Sequence, residues 1–502
     1  MRVSRDLIAG VVSSGRSDLT DLQELQRATV EGWHLVHHPE TLEPVYGLVP
    51  IRAESGRLLG LIALDAAGER WLWYRFTPAG MGADDRASAV SDFPAVSARE
   101  AGERVERRSR AAGTDRPTEQ PLLIEGTDKH LYWQFQSAQG EKWLVNADRT
   151  GASVLEPGDD AAARVLPPSP TLAEQRNRCR RASEGTPAPG ESQRSGSRLL
   201  PSAYRMPGVP YHYQITSWYC GPASLHMVMD HWGQEIPQVP ISDVANDIVN
   251  SGCYADDMDR SAHFSGMSAA IQDPTLIGYA ERKLGYACVE YSWGSHPDRY
   301  GALRSLACSH YPLFVLTWFS SAHGAGHYRV VTGYDDNLDV FIMQDPWYSG
   351  TYTGPDLLVN QTVFVEDWWE YSWCWGMVAS PWLLHPEIPS TIALGDTFSV
   401  DLTVLYPGPL PELQNRDLCT SCVATIELPM GLSLAGGTAT QPLTNMRSGD
   451  STIVSWEVVA DGPAGDFGIY FQAQGLVTGS CTSYPSYTDS IGGHGYDIAT
   501  VG

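Results

Sequence analysis

Apolar and polar positions change texture four times along the chain. In 18–36, Leu19, Leu22, Leu25 and Val30 recur at helical spacing behind Asp18, a capping residue, and predict an amphipathic helix. Strand-sized apolar runs follow at 45–51, 58–64 and 70–76, punctuated by Ser55-Gly56 and Ala66-Ala67-Gly68. The order then recurs. A charged, helix-prone stretch at 97–112 precedes runs at 122–125, 131–136 and 142–145. Two helix-then-three-strand units in tandem predict an internal duplication within an α+β region spanning 1–155.

Residues 156–202 lose this periodicity. They are rich in Pro, Ser, Gly, Arg and Ala, which predicts a flexible linker. Its run R-N-R-C-R-R at 176–181 is a ready site for an Arg-directed protease. Residues 203–385 hold the dense aromatic content. In 386–502 the pattern alternates, with strands expected at 398–405, 423–428, 452–459 and 467–473 between Gly, Pro and Asp turns. Short strands at such spacing predict an all-β sandwich.

Composition narrows the classes. A chain of 502 residues is about three domains at ~150 residues each. With 42% apolar and 10% aromatic residues it has enough to bury sizeable cores, which excludes wholesale disorder. The net charge of −25 argues against nucleic-acid binding, since phosphates would be repelled. The charge is uneven: 25 basic against 28 acidic residues in 1–200, and 9 against 31 in 201–502. That asymmetry marks separately built regions. No apolar run approaches the ~18 residues of a spanning helix, so no spanning membrane segment is expected. The 9 cysteines are many for a reducing compartment. The first residues hold an apolar patch too short for a signal-peptide core. The expectation is an extracellular or cell-surface protein whose leader is not visible here, with the cytoplasm as the alternative.

The chemistry concentrates in 209–233. Leu225, Val228, Met229 and Trp232 form one apolar helix face, Pro222 suits a first helical position, and Gly233 stops the helix. Cys220 therefore stands at a helix N-terminus, where the dipole and unpaired N–H groups favour thiolate. Gln214, six positions earlier, offers an amide that, with the cysteine's own N–H, can hold an oxyanion. At 326–347 a hairpin is expected to turn at 335–337. His327 and Asp345 are equidistant from residue 336, so a regular hairpin makes them cross-strand partners with Cβ atoms about 5 Å apart. A carboxylate there orients an imidazole and stabilises its cation.

Gln214, Cys220, His327 and Asp345, within V-P-Y-H-Y-Q-I-T-S-W-Y-C-G-P-A-S-L and G-H-Y-R-V-V-T-G-Y-D followed by Q-D-P-W, resemble the papain-like cysteine peptidases. The resemblance is in particular to the double-glycine leader, bacteriocin-processing peptidases and their free-standing relatives. It implies an α+β papain-like catalytic domain over 203–385 and a peptide or protein substrate. It also implies roles: Cys220 as nucleophile, His327 as base, Asp345 as orienter and Gln214 as oxyanion donor, with no metal or cofactor. Exporting members carry transporter and ATPase domains. This chain shows neither a spanning segment nor a G-x-x-x-x-G-K-[ST] loop, so cleavage coupled to export is not implied.

Two shorter resemblances flank it. G-R-L-L-G-L-I-A-L-D-A-A-G-E-R and E-K-W-L-V-N-A-D-R-T-G-A-S-V resemble PepSY-like units, which occur as propeptides or inhibitory modules of secreted peptidases. With the basic linker run, that makes a zymogen an expectation. A spacer or docking domain is the plainer alternative. I-E-L-P-M-G-L-S-L-A-G-G and S-G-D-S-T-I-V-S-W-E-V resemble immunoglobulin-like modules appended to extracellular enzymes, which implies cell-surface or polymer contact. Cys419, Cys422 and Cys481 lie there. A lone C-x-x-C argues little for zinc, and the expectation is a disulfide from Cys481 to one of the other two.

Other constellations are read as structural. His323 with His327 is broken by glycines, His34, His37 and His38 are taken as an exposed helix end, and Asp256, Asp257 and Asp259 as a solvated loop. The run Trp368, Trp369, Tyr371, Trp373, Trp375 is expected to pack core and cleft walls. The competing functions are a surface-binding protein on a decayed peptidase fold, and an acyl transferase using the same residues.

Overall fold

The computed structural model describes residues 8–9, 22–30, 32–37, 43–67, 71–76, 96–112, 121–125, 131–136, 142–147, 154–155 and 200–502, the last with gaps at 217, 235, 246–252, 254–257, 259–260, 263–267, 272–279, 284, 320–324, 348–352 and 481–485. The linker expected at 156–202 and the residues Cys481, His38, His323, Asp256, Asp257 and Asp259 thus fall wholly or almost wholly outside the described residues. The molecule is mostly β with few helices.

A 16-stranded sheet runs from the N-terminal region into the residues around Cys220. Its first part is a meander of Pro44–Arg52, Leu58–Asp65 and Trp71–Phe76, flanked by His34–His37. The second helix-and-meander unit follows: Ala98–Ala112, then Leu122–Glu125, Leu131–Gln136 and Lys142–Asn146. A parallel pairing of His34–His37 with Leu122–Glu125 joins the two units.

The start of the chain departs from the helical pattern expected over 18–36. Among the described residues of 18–36, Leu22–Gln26 alone is helical. Thr29–Val30 pairs with Arg52 and Ile51, and His34–His37 with the strand Pro44–Arg52. A five-residue helix is marginal alone, and the β-branched Thr29 and Val30 gain more by completing a sheet. His34 and His37 therefore belong to a strand, not a helix end.

The remaining part of this sheet carries the chemistry. Its antiparallel order is Ala287–Ser292, Trp375–Ser380, Leu313–Trp318, Gly326–Asp335, Val340–Asp345, Gly354–Asn360. Leu313–Trp318 and Val340–Asp345 are buried at every position. Both faces are covered, which is why these segments read as continuous apolar runs. Leu225, Val228 and Met229 of the helix Cys220–His231 share one core with Phe314, Leu316, Tyr328, Val330 and Met377. Leu303, Leu306, Phe364, Val365 and Trp368, from the helices Arg299–Cys308 and Gln361–Ser372, share another with Leu313, Val315, Val331, Phe341 and Met343. Trp368, Tyr371 and Trp375 are buried as expected, whereas Trp369 is exposed.

The N-terminal sheet joins at Gly354–Asn360, where Leu358 and Val359 pair with Tyr74 and Trp73. Leu25, Val49, Ile51, Leu59 and Ile62 pack in one cluster with Leu338, Val340, Ile342 and Leu358. The C-terminal region forms two four-stranded sheets. One contains Leu383–Glu387, Thr397–Leu405, Ser451–Ala460 and Leu432–Leu434, and the other Thr440–Pro442, Cys419–Glu427, Gly465–Gly479 and Tyr487–Val501. Val400, Leu402, Trp456 and Val458 of the first share a core with Ala424, Ile426, Ile469 and Phe471 of the second. Cys419 and Cys422 are free thiols inside this core, and Cys481, the third member of the expected link, lies outside the described residues.

Candidate active site

The helix Cys220–His231 begins at Cys220, and no side chain caps its N-terminus. The N–H groups of Cys220 and Gly221 are first-turn donors, which point out of the helix N-terminus. Pro222 occupies the third helical position, not the first, where its missing N–H is still harmless. Trp232 caps the other end and Gly233 leaves it at φ +86°, a left-handed conformation suited to glycine. Cys220 is partly buried. A β-carbon on Gly221 would come within 3.3 Å of the Tyr328 ring, so the helix start abuts the residue that follows His327.

The hairpin strands are Gly326–Asp335 and Val340–Asp345. The register departs from the regular one. The turn falls at 336–339, not at the expected 335–337, and a bulge between Val331 and Gly333 then sets Val330 opposite Gln344 and Val331 opposite Met343. One step further, Arg329 lies opposite Asp345. His327 is displaced from Asp345 by two residues along the strand and meets it diagonally. A two-residue shift preserves the face, since side chains alternate with period two. The contact therefore survives the slip: His327 Nε2 lies 2.8 Å from Asp345 Oδ1.

Asp345 is fully buried, and the donors that meet it include three described groups. Besides His327, Arg329 Nε donates to Oδ2 at 2.8 Å and the Trp347 N–H donates to Oδ1 at 2.9 Å. The remaining Arg329 nitrogens donate to the carbonyls of Trp318 and Phe319, both at 3.2 Å. A buried carboxylate is strongly disfavoured without such partners, and Arg329 supplies the opposite charge. The His327 ring is 1% exposed and meets Phe319 edge-on, with centroids 4.9 Å apart. Gly326 has to be small, because a β-carbon there would fall 2.0 Å from Tyr371 Oη.

Gln214 is fully buried beside this cluster. Its backbone N–H donates to the carbonyl of Pro346, the residue after Asp345, at 2.7 Å. One amide N–H of its side chain donates to Thr216 O at 2.7 Å, and Oε1 has no partner among the described residues. His327 and Asp345 are thus joined directly. Gln214 is tied to them through Pro346, and the helix start at Cys220 through Gly221 and Tyr328.

Two features escape the linear reading. One is Arg329; the signal in the sequence is its identical parity with His327, which puts a cation on the same face. The second is a group made by His212, His226 and Asp230, whose ligand-type atoms all lie within 4.8 Å of one another. The spacing of His226 and Asp230, one helical turn, was its only trace in the sequence. Burial first, then His212, pushes His226 down to about 4.

A family model described as the Peptidase_C39 like family matches residues 206–372, about a third of the chain. No curated protein matches. Among 29 matching chains of solved structures is native alpha-2-macroglobulin from Escherichia coli, spanning domain MG7 to the C-terminus. It is 18% identical over 24% of this chain and 16% of its own length, with a TM-score of 0.18, too low to carry a fold assignment. The family match supports a papain-like, cysteine-peptidase-type domain over residues 206–372.

Proposed function

We propose that the protein is a cysteine peptidase that hydrolyses peptide bonds through Cys220, His327 and Asp345, with Gln214 as oxyanion donor. The observation that carries it is the buried His327–Asp345–Arg329 cluster beside a helix that begins at Cys220. With Nε2 donating to Asp345, the His327 ring keeps Nδ1 free of hydrogen and takes the Cys220 thiol proton there, leaving a thiolate beside an imidazolium. The thiolate adds to the peptide carbonyl carbon. The oxyanion takes the Cys220 N–H and the second amide hydrogen of Gln214. The C–N bond breaks as His327 passes its proton to the leaving amine. Water, deprotonated by His327, then cleaves the thioester and returns Cys220. The same residues support acyl transfer when an amine replaces that water.

The test is labelling with a papain-directed epoxide, read by intact mass, beside peptidase activity on casein. Full-length protein is expected to gain one adduct that Cys220→Ala abolishes together with activity. Labelling of Cys220 no faster than of free cysteine removes the reading in favour of a binding protein on a peptidase fold. An added amine that diverts product from acid to amide assigns acyl transfer.

For residues 1–155 the observations favour a structural over an inhibitory role. Their strand Trp71–Phe76 pairs with Leu358 and Val359, whereas Asp345 pairs with Gly354 at the other end of the same strand. Removal of 1–200 is expected to lower stability without raising activity, measured by thermal unfolding and casein hydrolysis; a rise in activity restores the zymogen. The C-terminal sheets fit an immunoglobulin-like module that spaces the enzyme or binds a cell-surface polymer, tested by retention of 386–502 on polysaccharide resins. Extracellular placement belongs to the same proposal.

A further inference from the structure

We infer that His212, His226 and Asp230 form a site for a divalent transition metal of the zinc class, which pins the segment carrying Gln214 onto the helix carrying Cys220. The donor set is two imidazoles and one carboxylate, the chemistry of three-ligand zinc sites with a fourth position left to solvent. His226 and Asp230 stand one turn apart on one helix, so a rigid element fixes two of the three donors. His212 arrives from the extended segment before Gln214, with its Nε2 2.7 Å from Asp230 Oδ2.

The independent observation is His226. It is only 8% exposed, and neither of its ring nitrogens has a hydrogen-bond partner among the described residues. A buried imidazole with both nitrogens unsatisfied is a cost that a native structure normally avoids. A metal removes that cost at one nitrogen. The rings of His212 and His226 lie parallel, 3.7 Å between centroids and 4° between planes. A metal between them would sit out of both planes, so coordination turns one ring out of the stack. His212 and Asp230 are half-buried, which leaves the approach open. Binding breaks the His212–Asp230 hydrogen bond: the Nε2 proton moves to Nδ1 or to solvent, and both former partners become ligands.

The site is separate from the Cys220 and His327 chemistry, but those two residues could also take up a soft metal. The experiment therefore uses the full chain carrying Cys220→Ala, titrated with Co²⁺ and Zn²⁺ by calorimetry and by cobalt visible absorption. One Co²⁺ per chain is expected, with the absorption of low coordination number and displacement by Zn²⁺. His226→Leu, His212→Gln and Asp230→Asn, each in that background, are expected to weaken binding on the order of a hundredfold. Melting in chelator checks that each variant folds. If His226→Leu does not fold, the two half-exposed positions decide. No binding by the Cys220→Ala protein, or binding unchanged in the folded variants, overturns the site. Because that background has no nucleophile, the outcome is independent of whether the protein is a peptidase.

Discussion

The sheet around His327 and the two C-terminal sheets are built from similar antiparallel strands, yet they treat polar residues in opposite ways. In Thr397–Leu405 and Ser451–Ala460, burial alternates: Val400, Leu402, Trp456 and Val458 face the core while Ser399 and Glu457 face water. In Gly326–Asp335 and Val340–Asp345 nearly every position is buried, because the helix Cys220–His231 and the N-terminal strands cover one face and the helices Arg299–Cys308 and Gln361–Ser372 the opposite one. A polar residue in a one-faced sheet chooses the solvent side. In the doubly covered sheet it has no such side, so His327, Arg329 and Asp345 bond to one another. The difference teaches where a chemically competent cluster can be held: burial forces the partnerships that fix its geometry.

That comparison breaks first at Arg329. Arg329→Leu leaves Asp345 buried without its cation and is expected to cost about 3–5 kcal/mol. Pairing it with Asp345→Leu removes both charges and is expected to recover much of that stability, with no activity. Chemical denaturation of the two variants checks both; equal stabilities would mean that the cluster is not held by charge pairing. Next comes the core of the C-terminal sheets. Leu402→Ala is expected to lose about 2–5 kcal/mol. Activity per folded molecule should stay unchanged, as followed by denaturation beside casein hydrolysis.

The thiols of the C-terminal core give a pH-dependent effect. The hydrogen bond from Cys419 holds Cys422 low, at about 7, against the opposing effect of burial. A group whose folded pKa lies below its unfolded value adds stability that fades as pH falls through about 7; the same bond pushes Cys419 up, so the pair's gain is confined to mildly alkaline pH. Thiolate absorbance missing in Cys422→Ser should show a midpoint near neutrality, moving up in Cys419→Ala. An unchanged midpoint would remove Cys419 as the cause. The smallest effects are expected on the wet side of the sandwich. Ser399→Ala and Glu457→Gln, which face each other across the strands, should each stay within about 0.5 kcal/mol. A larger loss in thermal unfolding would show that this face is covered.

Much was legible along the chain. Periodicity alone located Leu122–Glu125 and Leu131–Gln136, and it came within a residue or two at Leu58–Asp65 and Ala98–Ala112. These are segments whose own alternation or helical face buries itself whatever lies beyond. The helix starting at Cys220 was equally local, set by Gly221-Pro222 and the apolar face behind them. The pairing of His327 with Asp345 was expected for a reason only partly right, since a regular hairpin would have set them directly opposite.

What tertiary structure decided was every relation that depends on a distant strand or helix. The turn at 336–339 and the bulge between Val331 and Gly333 together put Arg329, not His327, opposite Asp345. Thr29–Val30 and His34–His37, expected within one helix at 18–36, became strands because open sheet edges were present to pair with them. His212 met His226 and Asp230 only when its segment folded back onto their helix. The sequence by itself determined the strands and helices whose own pattern buries them, and which residues were chemically able. Packing, through register and through the need to satisfy buried polar groups, determined which of those residues met.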